Sequence, residues 1–290
     1  MAQSRPLLAL AWMMGAVLSF SAMAVAGREL SVSLNTFELM LYRSVIGFVI
    51  VALILMRSAG GLDQVRTRHL GLHVRRNVVH YTGQNLWFYG VAAIPLSQLV
   101  ALEFTNPIWV AVLAPIMLAE RLTPARLISA LLGFLGVLVV ARPGVAPLDW
   151  GHAAGLGAAL GFALNTIFTK RIMAHDSVLC VLFWMTLMQG AFSLALSLPG
   201  GIPLPGAAAL PWIAIVGVGG LTAHYSLTSA LGAAPATIVA PMEFVRLPFI
   251  AVVGMLVYGE PIEMAVFAGA ALIIAGNLLN LASGHRRLPS

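Results

Sequence analysis

Residues 95–122 read PLSQLVALEFTNPIWVAVLAPIMLAERL, and residues 235–262 read PATIVAPMEFVRLPFIAVVGMLVYGEPI. At an offset of 140 they share Pro95/Pro235, Glu103/Glu243, Phe104/Phe244, Ala111/Ala251, Val112/Val252 and Glu120/Glu260. The match continues through Ala130, Leu132, Gly136 and Leu138, which face Ala270, Leu272, Gly276 and Leu278. With Ala125/Ala265, that makes 11 identities over the 44 positions from 95 to 138. Chance in so apolar a chain gives about four. Near the N-terminus the offset is 142: Gly15, Ala16, Leu18 and Phe20 face Gly157, Ala158, Leu160 and Phe162, and Arg28 faces Lys170. The sequence therefore reads as one unit written twice.

Composition says what kind of unit it is. Hydrophobic residues make up 60% of the 290 and charged residues 9%, with a mean hydropathy of +0.95. Soluble domains carry about 25% charged residues, and a surface with so few has to face lipid rather than water. Ten apolar segments span approximately 7–27, 37–56, 77–94, 97–118, 125–141, 152–169, 178–198, 212–231, 236–258 and 262–281. At about 1.5 Å per residue each reaches across, or nearly across, a hydrocarbon core of about 30 Å. The alternation expected of barrel strands is missing. The first segment follows Arg5 and ends in small residues, as a leader would. It is longer than a leader's apolar core and has a counterpart later in the chain, so we expect a span.

The expected fold is thus an all-α integral membrane bundle of ten transmembrane helices. Residues 1–145 and 146–290 form its two five-helix repeats, integrated in one bundle. Five is odd, so the second repeat enters the membrane upside down. Such inverted repeats let a bundle form nearly equivalent states open to either side of a central site.

Of the 16 lysines and arginines, 12 fall on the side that holds both termini, Arg28 and Arg142 fall on the other, and Arg43 and Arg246 lie inside spans. This asymmetry predicts cytoplasmic termini in a bacterial inner membrane. It also accounts for the high isoelectric point, near 10.2, without nucleic acid as a partner. Cys180 stands alone, which excludes an intramolecular disulfide or a cysteine cluster, and is read as apolar packing. No G-x-x-x-x-G-K-[ST] motif occurs, so ATP has no evident place to bind.

A span ending in Glu120 before Thr123-Pro124, the run from Gly133 through Gly136 and Arg142 to Pro143-Gly144, and the counterpart Tyr258-Gly259-Glu260-Pro261 resemble the EamA-type branch of the drug/metabolite transporter superfamily. The resemblance covers nearly the whole chain and looks closest to the aromatic amino-acid exporters. It implies a carrier of small metabolites, most simply of aromatic amino acids and methionine, working by alternating access. Another cargo of the same fold, such as a drug, nucleoside, flavin or methyl-donor nucleotide, remains open. No cofactor, metal or catalytic residue is expected. The partners are a small molecule and the bilayer, and the symmetry held within one chain is compatible with a monomer.

Ionisable residues inside a bilayer are costly and mark candidate sites. Glu103, Glu243, Arg43 and Arg246 lie well inside spans, and Glu38 lies nearer an end. Glu243 and Arg246 are three apart and are expected to pair; Glu103 and Arg43 lie at similar depth and could do the same. The third span carries His80, Gln84 and Trp87 at helical spacing, with Tyr81 one step round. His224 and Tyr225 occupy the corresponding part of the eighth, Asn165 lies on the sixth, and Asn106 with Trp109 on the fourth. With Glu38 and Arg43 left out, the latter as structural, the other 12 are the expected substrate pathway. Prolines 95, 107, 115, 241 and 248 fall in or beside spans four and nine, where they would bend the helices. An intramembrane enzyme is disfavoured, because neither H-E-x-x-H nor G-x-S-x-G occurs. A channel is disfavoured by the lack of a filter-like loop.

Overall fold

The computed structural model describes residues 6–117, 124–142, 147–233, 239 and 242–285. Among them run eleven α-helices: α1 (Pro6–Leu30), α2 (Thr36–Arg57), α3 (Leu70–Ala93), α4 (Leu96–Glu103), α5 (Asn106–Met117), α6 (Pro124–Ala141), α7 (Trp150–Ile172), α8 (Val178–Ser197), α9 (Leu210–Ala233), α10 (Arg246–Tyr258) and α11 (Met264–His285). The halves α4 and α5 make one span, and helical residues 242–243 precede α10 in another, so the fold is the ten-helix membrane bundle. Five helices among the described residues are long and apolar enough to cross a membrane, including Leu7–Leu30, Thr36–Arg57 and Val178–Gly200. The third span is less apolar because it faces inward. Asn35 and Glu38 form a capping box that starts α2, which gives Glu38 a local role.

The packing shows the inverted symmetry directly. Helix α1 lies on α9, α3 on α7, α2 on α8, α6 on α11, and α4 on α10. Exchanging each span for its counterpart five places on maps this set onto itself. Individual contacts obey the same exchange. A Cβ on Gly157 would meet Leu86 at 2.9 Å, and one on Gly15 would meet Ser226 at 3.1 Å. Gly157 corresponds to Gly15, and Leu86 to Ser226. Where α6 crosses α11, Gly136 and Gly269 approach so closely that a Cβ on either would lie 2.6 Å from the other's carbonyl oxygen. The counterpart contact joins Gly276 to Ser129, whose hydroxyl donates to the Gly276 carbonyl at 2.7 Å. Small residues at these crossings replace the hydrophobic effect, which does not operate between helices in lipid. The opposite face of α6, with Leu127, Leu131, Phe134 and Leu138 at helical spacing, is exposed for the bilayer.

The fourth and ninth spans break at equivalent places. Phe104 and Thr105 leave helical geometry between α4 and α5, and Phe244 and Val245 do so before α10. Pro107 and Pro248 explain both breaks: each lacks an N–H and crowds the carbonyl four residues back, at Glu103 and Phe244. The Asn277 side chain donates to the Phe104 carbonyl at 2.8 Å. Phe104 and Phe244 meet edge to face, their centroids 5.1 Å apart. A residue touches its own repeat counterpart only on the symmetry axis, so the axis passes through the two breaks.

At the end of the bundle carrying the termini, Thr67 donates to Asp176 at 2.6 Å and His73 Nε2 lies 2.8 Å from the same carboxylate oxygen. Burial raises the Asp176 carboxyl, but the Thr67 and His73 hydrogen bonds and the neighbouring histidine charges outweigh it and hold the group below its ordinary value of 3.8. Its stabilising contribution is therefore complete above that ordinary value and is lost as pH falls through the depressed one. Asp176→Asn is expected to cost about 1–2 kcal/mol at neutral pH and to weaken the acid dependence of the thermal midpoint, read in detergent between pH 3 and 7.

Candidate functional site

Helix α3 builds one wall of the central site. Its 24 residues begin at Leu70, seven before the expected start at Asn77, and this draws Arg76 out of the loop and into the bundle. Arg76, His80 and Gln84 then follow one another by single turns along one buried face. His80 Nδ1 lies 3.1 Å from the Gln189 side-chain nitrogen on α8. With its amide turned to satisfy both neighbours, Gln84 donates to Gln189 at 2.8 Å and accepts from both terminal nitrogens of Arg43 at 3.0 Å. Gly220 makes room for that guanidinium, since a Cβ there would lie 2.8 Å from Arg43 Nη2. His224 stands edge to face against Phe20 with centroids 5.7 Å apart. Tyr81 receives the Ser193 hydroxyl at 3.0 Å and packs on Phe192.

The other wall lies at the helix breaks. Arg246, 2% exposed, pairs with Glu103 at 2.8 Å. Trp87 Nε1 donates to the second Glu103 oxygen at 2.9 Å. The guanidinium sits over the rings of Phe20 and Phe104, 5.2 and 5.3 Å from their centroids. Glu243 is close enough to feel both Arg246 and Glu103. The expected Glu243–Arg246 pair is thus corrected: the direct ion pair joins Arg246 to the acid of the other repeat. Glu103 in turn does not reach Arg43. Two broken helices hold acid, base and aromatic rings together near the symmetry axis.

The end away from the termini is closed by ion pairs. Arg28 on α1 pairs with Glu260, and its Nε donates to the Val91 carbonyl at 2.6 Å. Glu260 also receives the Leu96 backbone N–H at 3.0 Å. Arg142 pairs with Glu263, and His152 bonds to Gln98 beside them at 2.9 Å. This network ties both repeats together, so opening that end requires breaking it. The Lys170, Arg121 and Arg126 region invites comparison, but Glu120, Arg121 and residues 143–146 lie outside the described residues, as do Pro235 and Pro241.

The EamA-like transporter family matches this chain twice, over residues 7–142 and 149–282. The chain belongs to that family. It is a multi-pass membrane carrier of small metabolites and not an enzyme. A riboflavin transporter of Rhizobium johnstonii is 27% identical over 284 residues, 98% of this chain and 94% of the relative. One from Vibrio cholerae is 27% identical over 93% of this chain and 91% of its own length. An S-adenosylmethionine uptake transporter of Rickettsia prowazekii is 23% identical over 96% and 94%. A crystal structure with 18% identity superposes with a TM-score of 0.64, covering 96% of this chain and 98% of that one, which bears on the fold alone.

Within this family member, the structure gathers His80, Tyr81, Gln84, Trp87, Glu103 and Arg246 inside the bundle, with His224 and Glu243 beside them. Asn106 begins α5 at the break and is half-buried. Trp109 and Asn165 are also half-buried, and Trp109 Nε1 and Asn165 Oδ1 have no hydrogen-bond partner among the described residues. Tyr225 does not join them. It is 66% exposed and packs edge to face on Trp12 at the outer surface of the bundle, because adjacent residues on a helix point about 100° apart. Sequence reasoning missed Arg76 and Gln189 and set Arg43 aside. The i, i+4 step from Arg76 to His80 was the readable sign of the first.

Proposed function

We propose that this chain carries a heteroaromatic metabolite of the flavin or nucleoside class, with riboflavin-like compounds foremost. The observation that carries the reading is that relatives matching over nearly the full length are named for riboflavin and S-adenosylmethionine transport. The site's chemistry supports it. Trp87, Phe20, Phe104 and Phe244 offer ring faces and edges, each stacked pair contributing about 0.5–1.5 kcal/mol beyond its burial. Gln84, Gln189 and His80 offer donors and acceptors for ring nitrogens and carbonyls. The expectation of aromatic amino acids and methionine has weaker support, because these relatives are not named for them.

The halves 1–145 and 146–290 work as one integrated carrier, monomeric in the simplest case, driven by a gradient. The termini lie in the cytoplasm of an inner membrane. With Arg76 counted inside its span, 11 cations remain on that side against two, which still supports the orientation. The pathway runs past the buried residues named above, and Asn106, Trp109 and Asn165 border it.

Purified protein in liposomes tests the reading with labelled riboflavin, S-adenosylmethionine, adenosine, tryptophan and methionine, with and without a pH gradient. Saturable uptake and counterflow of riboflavin or S-adenosylmethionine is expected, at least about tenfold more effective than tryptophan, equivalent to about 1.4 kcal/mol of discrimination. Movement of tryptophan and methionine alone would return the assignment to amino acids.

A further inference from the structure

Glu103 and Glu243 both lie beside Arg246, and this leaves the opposite wall with an excess of positive charge. Arg43 and Arg76 are 7% and 6% exposed. Among the described residues no carboxylate forms an ion pair with either. Neutral groups hold them: Gln84 for Arg43, and Asn77 at 3.0 Å and Thr169 at 3.3 Å for Arg76. The two cations lie within electrostatic reach of each other and of His80 and His224. Burying one such charge inside a membrane bundle without a counter-ion is costly, and placing two together adds their repulsion.

A small crevice of about 10 Å³, room for roughly one water molecule, opens beside Arg43 and is lined also by Ser44, Thr186 and Gln189. Two of its buried polar atoms, Arg43 Nε and Ser44 Oγ, have no hydrogen-bond partner among the described residues. Both can donate. The crevice is far smaller than the roughly 300–1,000 Å³ of a whole-ligand pocket, so an anionic group enters it only as α2, α8 and α9, whose residues line it, move apart. Unused donors and uncompensated positive charge thus coincide at Arg43.

We propose that Arg43 and Arg76, with Ser44, form an anion subsite that takes a carboxylate or phosphate of the cargo while its ring lies against the aromatic wall. The idea rests on reading the chain as a metabolite carrier and narrows the cargo to members bearing a negative group. A planar guanidinium matches either anion. When empty, the subsite keeps its charges apart with neutral dipoles, and the arriving anion supplies the missing counter-charge.

Affinity is measured on purified protein for matched pairs: riboflavin 5′-phosphate against riboflavin, and tryptophan against tryptamine, with inorganic phosphate and acetate tested alone as thermal stabilisers. At least one member bearing the phosphate or carboxylate is expected to bind about tenfold or more tighter than its mate lacking it. Arg43→Gln and Arg76→Gln should each reduce that ratio to below about threefold, and Arg43→Lys, which keeps the charge but loses the planar fork, should fall in between. A preference confined to the phosphate or the carboxylate pair, or to one of the two simple anions, tells the two sources apart. Equal binding within both pairs, or Gln variants that weaken both members alike, would overturn the subsite. Should a Gln variant not fold, the wild-type ratios decide alone. If riboflavin binds as well as its phosphate, the flavin reading stands and the subsite falls. If only the tryptophan pair binds and discriminates, the subsite stands and the flavin reading falls.

Discussion

Gly269→Leu is expected to abolish recovery of monodisperse protein, whereas Gly71→Ala leaves it unchanged. A Cβ at residue 269 would lie 2.6 Å from the Gly136 carbonyl oxygen and 3.0 Å from the Val140 backbone nitrogen. Both atoms belong to the main chain of α6, so no rotamer change relieves the clash, and the helices have to separate. Overpacking of a tight core costs about 1–3 kcal/mol for small additions and more for large ones. Here α6 and α11 are the counterpart fifth and tenth spans, so separating them removes a contact that joins the repeats. Gly269→Ala should show an intermediate loss. At Gly71 an added Cβ would meet nothing within 4 Å, so Gly71→Ala controls for the chemical change itself. Size-exclusion profiles and thermal midpoints in one detergent check the series. Full recovery of Gly269→Leu would show that the crossing is looser than described.

The repeat at offset 140 was legible because the residues it preserves are those the symmetry uses. Phe104 and Phe244 touch on the axis. Gly136 and Gly276 occupy equivalent crossings. Pro107 and Pro248 made the broken helices readable as bends, though not as breaks at equivalent positions. Side-chain partners were less legible. Spacing on one helix suggested Glu243 for Arg246, but ion pairs in a bundle form between helices, and Glu103 arrives from a span 140 residues away in the repeat. The helical wheel carried Tyr225 inward together with His224, although only one of two neighbouring residues can face the interior. Arg76 reads as a loop residue because a charge marks the end of an apolar run. The polar face of α3 continues through it, and only inward-facing neighbours such as Asn77 and Thr169 make that burial tolerable.

Arg246→Gln is expected to reduce transport about a hundredfold or more, and Glu103→Gln distinctly less. Removing one member of a buried pair leaves the other uncompensated, at a cost of about 3–5 kcal/mol. Loss of Arg246 strands two carboxylates, Glu103 and Glu243, within reach of each other. Loss of Glu103 leaves Glu243 to face Arg246, so part of the balance survives. Trp87 loses its acceptor only partly in Glu103→Gln, because the amide oxygen can still receive the indole N–H. The double variant Glu103→Gln with Arg246→Gln should therefore transport better than the product of the single losses implies, with a coupling of about 1–3 kcal/mol. The corresponding cycle for Glu243 and Arg246 should give a smaller coupling, since that acid lies near the guanidinium without an ion-pair contact. Initial rates in liposomes, normalised to folded protein in the membrane, give both cycles. Equal couplings would place the two acids on the same footing and make Glu103 and Glu243 interchangeable partners across the symmetry axis. Strict additivity in both would remove the ion pair from the transport cycle altogether.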